Sequence, residues 1–382
     1  MARTPMGGLL GDLSGMSANE LGAIAVKQAV AEAKLGTDEA DEIIMGNCLP
    51  AGQGQAPARQ SGFKAGMDKG LEATTINKMC GSGMQAAVMG RNAILAGEAN
   101  IVIVGGMESM TNAPHLIDVR KGHKYGNMNA QDHMALDGLS DAYAGGPMGN
   151  FADAIATEYQ FTREQQDAYA IETLSRAQAA TKNGKFKREI APVTIKTRKG
   201  ETVVSEDELP RTARPDKIPS LRPAFNKDGT VTAANASAIS DGAAALVLMQ
   251  KSEADKRGLT PIATIVSASS HAHEPERFTT APVPAMQKAL EKAGWSKDDV
   301  GLWEINEAFA VVPMIAMKEM GISHDIVNVN GGACAMGHPI GASGARVLIT
   351  LLAAMEDRDV KRGMASLCIG GGEGIAMAVE RA

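Results

Sequence analysis

The sequence of 382 residues is short of aromatic side chains, which make up 3% of it, and of cysteine, of which it has four. Its core must therefore be filled by aliphatic and small side chains. Cys48, Cys80, Cys334 and Cys368 are spaced too widely and unevenly for a secreted disulfide framework, so they read as free thiols. A cationic excess is also missing: 38 Lys and Arg stand against 44 Asp and Glu, a formal charge of −6. That balance argues against non-specific binding to nucleic acid, which rests on many cation–phosphate contacts. Apolar runs such as Ile101-Val102-Ile103-Val104 fall far short of the ~20 residues that span a bilayer. The opening Met1-Ala2-Arg3-Thr4-Pro5 lacks the apolar core of a secretory signal, which points to the cytoplasm. No G-x-S-x-G or G-x-x-x-x-G-K-[ST] occurs, which argues against an α/β-hydrolase and a P-loop enzyme. What is present, 44% hydrophobic and 21% charged residues with 42 glycines, is the composition of a globular chain longer than the ~100–200 residues of one domain.

The chain repeats itself. Ser17-Ala18-Asn19-Glu20 forms a capping box and opens a helical pattern through Leu21, Ile24, Ala25 and Val30 that stops at Gly36. An acidic turn, Thr37 to Asp41, and an apolar run, Ile43-Ile44-Met45, then lead to Gly46-Asn47. The same order recurs as a helix over Pro284–Ala293, a stop at Gly294, an acidic turn at Lys297-Asp298-Asp299 and a run ending at Ile305-Asn306. Cys80-Gly81-Ser82-Gly83 opens a helical run Met84–Leu95, and Gly341-Ala342-Ser343-Gly344 opens Ala345–Ala354. Each of these helices feeds a strand, Val102–Glu108 and Leu367–Glu373, matched at apolar, Gly and Glu positions. Three matched blocks in one order predict a duplicated α/β unit whose halves each carry a largely parallel layer. The first half covers 1–115 and about 240–260, and the second covers 261–382. Between them, 116–239 reads as an inserted loop domain, with a Gly-rich part at 145–149, a helical run over Arg163–Ala180 and a basic segment from Lys182 to Lys199. Lys182, Lys185, Lys187, Arg188, Lys196, Arg198 and Lys199 against Glu189 alone give that domain a cationic face.

Cys80 stands where an extended segment turns into a helix, so backbone N–H groups and the positive helix end would favour its thiolate. The alternative is a buried small hydrophobe. His338 lies in the glycine-rich loop Gly331–Gly341, at another helix start, whereas His115, His123, His133, His271, His273 and His324 read as surface residues. Cys334 and His338 are four apart, but no second pair at compatible spacing accompanies them, so no metal site is expected. In Gly370-Gly371-Gly372-Glu373-Gly374 the final glycine is one place early for a dinucleotide-binding turn.

Four blocks together resemble the thiolases: Asn77–Gly83 around Cys80, Asn306-Glu307-Ala308-Phe309-Ala310, Gly331–Gly344 around His338, and Cys368-Ile369-Gly370-Gly371-Gly372. The resemblance covers nearly the whole chain. It implies a layered α/β/α/β/α core with an inserted loop domain, and reversible cleavage of a short 3-ketoacyl-CoA, the reverse being condensation of two acetyl-CoA. Cys80 is implied as the nucleophile, His338 as its base, and Cys368 as acid and base toward the second substrate. One oxyanion hole falls to His338 with a water held by Asn306, the other to the N–H groups of Cys80 and Gly370. On their own, Asn306 reads as a strand-end cap and Gly370 as a turn. The resemblance also implies a coenzyme A path along Leu139, Met148, Arg211, Phe225, Ala233, Ser237, Ala308 and Phe309. Phe278 would narrow the acyl pocket beside Met148. There are two departures: Pro147 precedes Met148 where many members have His, and the spacing around Arg211 is one residue short. Coenzyme A is a co-substrate, no further cofactor is implied, and members are dimers or dimers of dimers. A degradative thiolase of broader chain length and a non-catalytic CoA- or lipid-binding relative are the rival readings; the latter would lack Cys80, His338 or Cys368.

A last expectation concerns the start. The second half has a strand-like run, Ile262–Ala268, before its first helix, and the first half has only Met1 before Ala2-Arg3-Thr4-Pro5. With that opening strand taken to lie in the middle of its sheet, the natural chain is expected to begin about eight to ten residues upstream of Met1.

Overall fold

A computed structural model describes residues 1–197 and 200–381; Arg198 and Lys199 of the basic segment lie outside the described residues. The strands of the first half are Ala2–Arg3 (β1), Gly7–Gly8 (β2), Glu42–Gly46 (β3), Glu72–Ile76 (β4), Ile101–Ser109 (β5) and Ser240–Met249 (β6). They form one sheet in the order β1-β6-β5-β3-β4, with β2 also on β6. Ala263–Ala272 (β7), Leu302–Ile305 (β8), Arg362–Ile369 (β9) and Glu373–Arg381 (β10) form the second, in the order β7-β10-β9-β8. The helices that matter here are Ala18–Glu32 (α1), Pro57–Lys64 (α2), Ser82–Ala96 (α3), Arg163–Lys182 (α4), Pro282–Ala293 (α5), Val311–Met320 (α6) and Ile340–Asp357 (α7).

Local signals built these elements much as expected. The Ser17 N–H donates to Glu20 Oε2 at 2.9 Å, closing the capping box of α1. That helix ends before Gly36, because Lys34 already takes a left-handed conformation at φ 54°. The sheets are mixed, not largely parallel. Only β3–β4, β3–β5 and β8–β9 run parallel, while β6 returns from the insertion antiparallel to β5. The three-residue turn Gly370–Gly372 is too short for a crossover and makes β9 and β10 a hairpin.

The layers run α/β/α/β/α. Leu21 and Val26 of α1 pack on Ile43, Ile103 and Ala245 on the outer face of the first sheet. Met286 of α5 and Ile315 of α6 pack on Met364 and Ala376 on the outer face of the second. α3 and α7 lie between the sheets. Every residue from Ile340 to Met355 of α7 is buried, which fits a helix without a polar face. The two central helices touch backbone to backbone: a Cβ on Gly344 would stand 2.2 Å from the Met84 nitrogen, and one on Gly83 2.6 Å from the Ala345 nitrogen.

β5 and β9 begin at the same sequence distance from these crossing glycines, so Met107 corresponds to Cys368 and Gly106 to Leu367. The expected match of Gly105-Gly106 with Gly370-Gly371 is therefore out of register, since β5 runs on where β9 turns. The opening strand also differs from expectation. β1 and β7 are edge strands, not central ones. β7 pairs along β10 from Ala263 to Ala272, whereas β1 covers only Ala244 and Ala245 of β6. Beyond them, Leu246 to Met249 border a cavity of about 1070 Å³ lined also by Ile262, Leu348 and Leu352.

The inserted domain is tied to the first half through Arg3, which is fully buried and donates to Glu189 at 2.8 Å and to Asp207 at 2.7 Å. Its cationic face is partly neutralised. Lys185 pairs with Asp357 at 2.6 Å, Arg188 with Glu356 at 3.1 Å and Lys196 with Glu201 at 3.3 Å. One histidine expected on the surface is not there: His133 is buried against Asp137 at 2.6 Å, while His271, His273 and His324 are half-buried, His324 stacked on Tyr169 at 4.8 Å.

Candidate active site

Cys80 ends the loop that leads from β4 into α3. Met79 just before it adopts φ 45°, a left-handed conformation that non-glycine residues rarely take and that concentrates at functional turns. The turn sends the N–H groups of Gly81 and Ser82 back to the carbonyls of Lys78 and Met79, each at 3.0 Å. Ser82 Oγ donates to the Met79 carbonyl at 2.7 Å and accepts from the Lys78 N–H at 2.8 Å. The Ser82 N–H, the first donor of α3, is thus taken by the loop itself. The thiol meets its own N–H and the N–H of Gly370 instead. The expected thiolate-favouring site is therefore overturned: burial pushes the Cys80 thiol up to about 11, and those two N–H groups only oppose the shift.

His338 is buried in the loop before α7. Burial, then the Arg346 charge, lower it to about 3, so the ring is neutral at physiological pH. Its tautomer follows from its neighbours. Ser343 Oγ donates to the Pro339 carbonyl at 2.9 Å, so its oxygen accepts from His338 Nδ1–H at 2.6 Å. Nε2 is left with its lone pair. Asn306 Nδ2 approaches that atom at 3.4 Å, and the amide is oriented by Arg346, which donates to Asn306 Oδ1 at 3.2 Å. Arg346 is itself held by Glu304 at 2.9 Å. Ser343, Arg346 and Glu304 were not among the site residues expected from the sequence. A lone arginine inside the apolar run of α7 was the available signal, because a buried guanidinium needs partners.

Cys368 closes β9 with its side chain buried, and burial followed by the nearby Cys80 raise its thiol well above the ordinary value. A buried carboxylate links the two halves beside these groups. Glu108, at the end of β5, accepts from Asn47 Nδ2 at 2.6 Å, from the N–H groups of Cys48 and Leu49 at 2.9 and 3.1 Å, and from the N–H of Gly341 at 2.9 Å.

The residues implied for the coenzyme A path fall into two groups. Met148, Phe225, Phe278, Ala308 and Phe309 pack in the cluster that holds Cys368. The Phe309 ring meets those of Phe225 and Phe278 edge-on at 6.0 and 6.1 Å. The Ser237 N–H donates to the Ala308 carbonyl at 2.9 Å, and Leu139 and Cys80 pack against the same buried cluster of Cys48, Leu49, Met110 and Ile340. Arg211 is paired with Asp12, and Ala233 is exposed. Among the described residues, no group of three or more His, Cys, Asp or Glu could hold a metal ion.

Comparison with known proteins finds relatives over the full length of the chain. The thiolase N-terminal domain family matches residues 1–252, and the thiolase C-terminal domain family matches 259–381. The chain is 50% identical over 381 residues to an acetyl-CoA acetyltransferase of Rhizobium meliloti (strain 1021), covering 100% of this chain and 97% of that one. It is 49% identical to an acetyl-CoA acetyltransferase of Paracoccus denitrificans, with the same coverage. Two crystal structures superpose closely. The acetyl-CoA acetyltransferase of Bacillus anthracis does so with TM-score 0.97 at 37% identity, over 100% of this chain and 97% of that one. A thiolase of Ascaris suum in complex with coenzyme A gives TM-score 0.94 at 41% identity, over 100% and 98%. The chain belongs to the thiolase family.

Proposed function

We propose that the chain is an acetyl-CoA C-acetyltransferase: it condenses two acetyl-CoA into acetoacetyl-CoA and catalyses the reverse thiolysis. The observation that carries this reading is the meeting of Cys80 with the Gly370 N–H, beside Cys368. In the first half-reaction His338 Nε2 takes the Cys80 proton as Sγ attacks the acetyl carbonyl carbon. The charge developing on the carbonyl oxygen is received by the N–H groups of Cys80 and Gly370. The C–S bond to coenzyme A then breaks, and its sulfur takes the Cys368 proton, leaving acetyl-Cys80, a Cys368 thiolate and a protonated His338.

In the second half-reaction the Cys368 thiolate removes an α-proton from the second acetyl-CoA. The enolate oxygen accepts from His338 Nε2–H and from a water held by Asn306, and its carbon attacks acetyl-Cys80. The expelled Cys80 sulfur recovers its proton from His338. Thiolysis runs the same steps backwards, so coenzyme A enters and leaves as a co-substrate and no further cofactor is needed.

A short acyl chain is favoured by the aromatic wall of Phe225, Phe278 and Phe309 around Met148. A degradative enzyme of broader chain length is the second reading. The reading includes the coenzyme A contacts named above, a cytoplasmic location, a place in lipid metabolism and a homo-oligomer, a dimer of dimers. Ile117, Val119 and Tyr125, exposed at 51%, 53% and 97%, offer apolar surface to another copy. Peptide mass mapping after incubation with acetyl-CoA tests the core of it. An acetyl group is expected on Cys80, and finding it on Cys48 or Cys334, or on no cysteine, would overturn the assignment. Thiolysis rates for acetoacetyl-CoA against medium- and long-chain 3-ketoacyl-CoA decide between the two chain-length readings.

A further inference from the structure

The two N–H groups assigned to the acyl oxygen come from opposite halves of the chain. One belongs to Cys80 in the loop before α3, the other to Gly370 in the turn between β9 and β10. No covalent bond near the site fixes their separation, which depends on how the two loops meet. Part of that meeting is apolar, since a Cβ on Gly81 would fall 2.5 Å from Ile369 Cδ1. The rest is ionic: Lys78 Nζ donates to Glu373 Oε2, the one charge pair among the described residues that joins the two loops.

Each end of this pair sits on stiff backbone, Lys78 two residues before Cys80 and Glu373 three residues after Gly370. The Lys78 N–H and carbonyl are both held, by Ser82 Oγ at 2.8 Å and by the Gly81 N–H at 3.0 Å. Glu373 opens β10, paired with Ile369 on one side and Ala272 on the other. The turn before it is tight, because a Cβ on Gly372 would stand 2.4 Å from the His273 carbonyl oxygen. The side chains of Lys78 and Glu373 remain 24% and 35% exposed.

We infer that the Lys78–Glu373 ion pair is a positioning device for the acyl-oxygen site, fixing how the Gly370 N–H stands relative to that of Cys80. The inference rests on the acyl-Cys80 reading. A partly exposed ion pair contributes little to stability, so its removal should leave the fold intact and act on geometry. Geometry is sensitive: a misplacement of about 1 Å can cost up to ~10²-fold in rate.

The experiment compares the wild type with Lys78→Met, Glu373→Gln and the reciprocal exchange Lys78→Glu with Glu373→Lys. Rapid-quench acetylation of Cys80 by acetyl-CoA and steady-state thiolysis of acetoacetyl-CoA are measured. Each single variant should keep the wild-type melting temperature and lose about tenfold in acetylation rate and kcat, with KM changed less than about twofold. The exchanged pair should recover most of that loss. Single variants as fast as the wild type would overturn the inference, as would an exchanged pair no faster than the singles. A wild type that shows no acetyl-Cys80 would remove the reading beneath it, and that result is visible before any variant is compared.

Discussion

The two halves share a plan and differ at one strand end, and the difference is where the chemistry sits. In the first half β5 runs on to Ser109, and its last residues, Met107 and Glu108, are buried and structural. In the second half β9 stops at Ile369, and the chain turns through Gly370 to Gly372 into β10. Shortening that strand turns the Met107 position into Cys368 and frees a backbone N–H beside Cys80. The helix starts differ in the opposite sense. The first half places Cys80 before α3, while the corresponding position in the second half is Gly341, in the first turn of α7, whose N–H goes to Glu108. On the proposed reading neither half holds a complete site, and the reaction falls to the contact between them.

The comparison can be broken most severely at the nucleophile. Cys80→Ala should lower turnover by about 10⁴-fold or more and abolish acetyl-enzyme, because nothing at Gly341 in the other half can replace it. Quenched-flow mass measurement of the acetyl-enzyme, alongside the thiolysis rate, checks this. Cys368→Ala removes what distinguishes β9 from β5, and it should slow condensation and thiolysis by about 10²–10⁴-fold while Cys80 is still acetylated. Wild-type turnover in that variant would show that the strand ends are chemically equivalent after all.

A third test concerns pH. His338 must be neutral to take a proton, and burial with the Arg346 charge lowers it to about 3. The acetylation rate should therefore stay level as pH falls through the ordinary histidine range and drop only toward pH 3. Arg346→Gln removes the second cause, so the acid limb should move up, toward neutrality; a limb that stays put would mean that burial alone sets it. Glu108→Gln turns one acceptor at the seam between the halves into a donor facing other donors. It should destabilise the protein by ~1–3 kcal/mol, read by urea unfolding. The smallest effect is expected at a cap outside the seam, where Ser17→Ala should cost ~1 kcal/mol of stability with kcat unchanged.

Much of this contrast was legible in the sequence, for stated reasons. Capping residues, the Gly294 stop and the helix-opening glycines are local signals, and they located α1, α3, α5 and α7. The likeness between Gly105-Gly106 and Gly370-Gly371 misled, because similar glycines serve a continued strand in one half and a turn in the other. Cys80, His338 and Cys368 stand in recognisable blocks. The partners that set their protonation do not. Ser343 and Arg346 lie on a buried helix, and their roles appear only once α7 is packed against Asn306 and His338. The raised thiol of Cys80 was hidden for the same reason: its cause is burial, which arises only once the loops of the two halves meet.

That raised thiol also decides how the protein meets oxidants. With its thiol pushed up to about 11, Cys80 is overwhelmingly protonated at neutral pH, and peroxide attacks thiolates, not thiols. An idle molecule is thus guarded against sulfenic acid formation by the same burial that makes its nucleophile sluggish. In the proposed cycle Cys80 is capped as a thioester while His338 holds the proton, and the anion then exposed in the site is the Cys368 thiolate. Oxidative inactivation of this protein should therefore track its turnover and not its time in the presence of the oxidant.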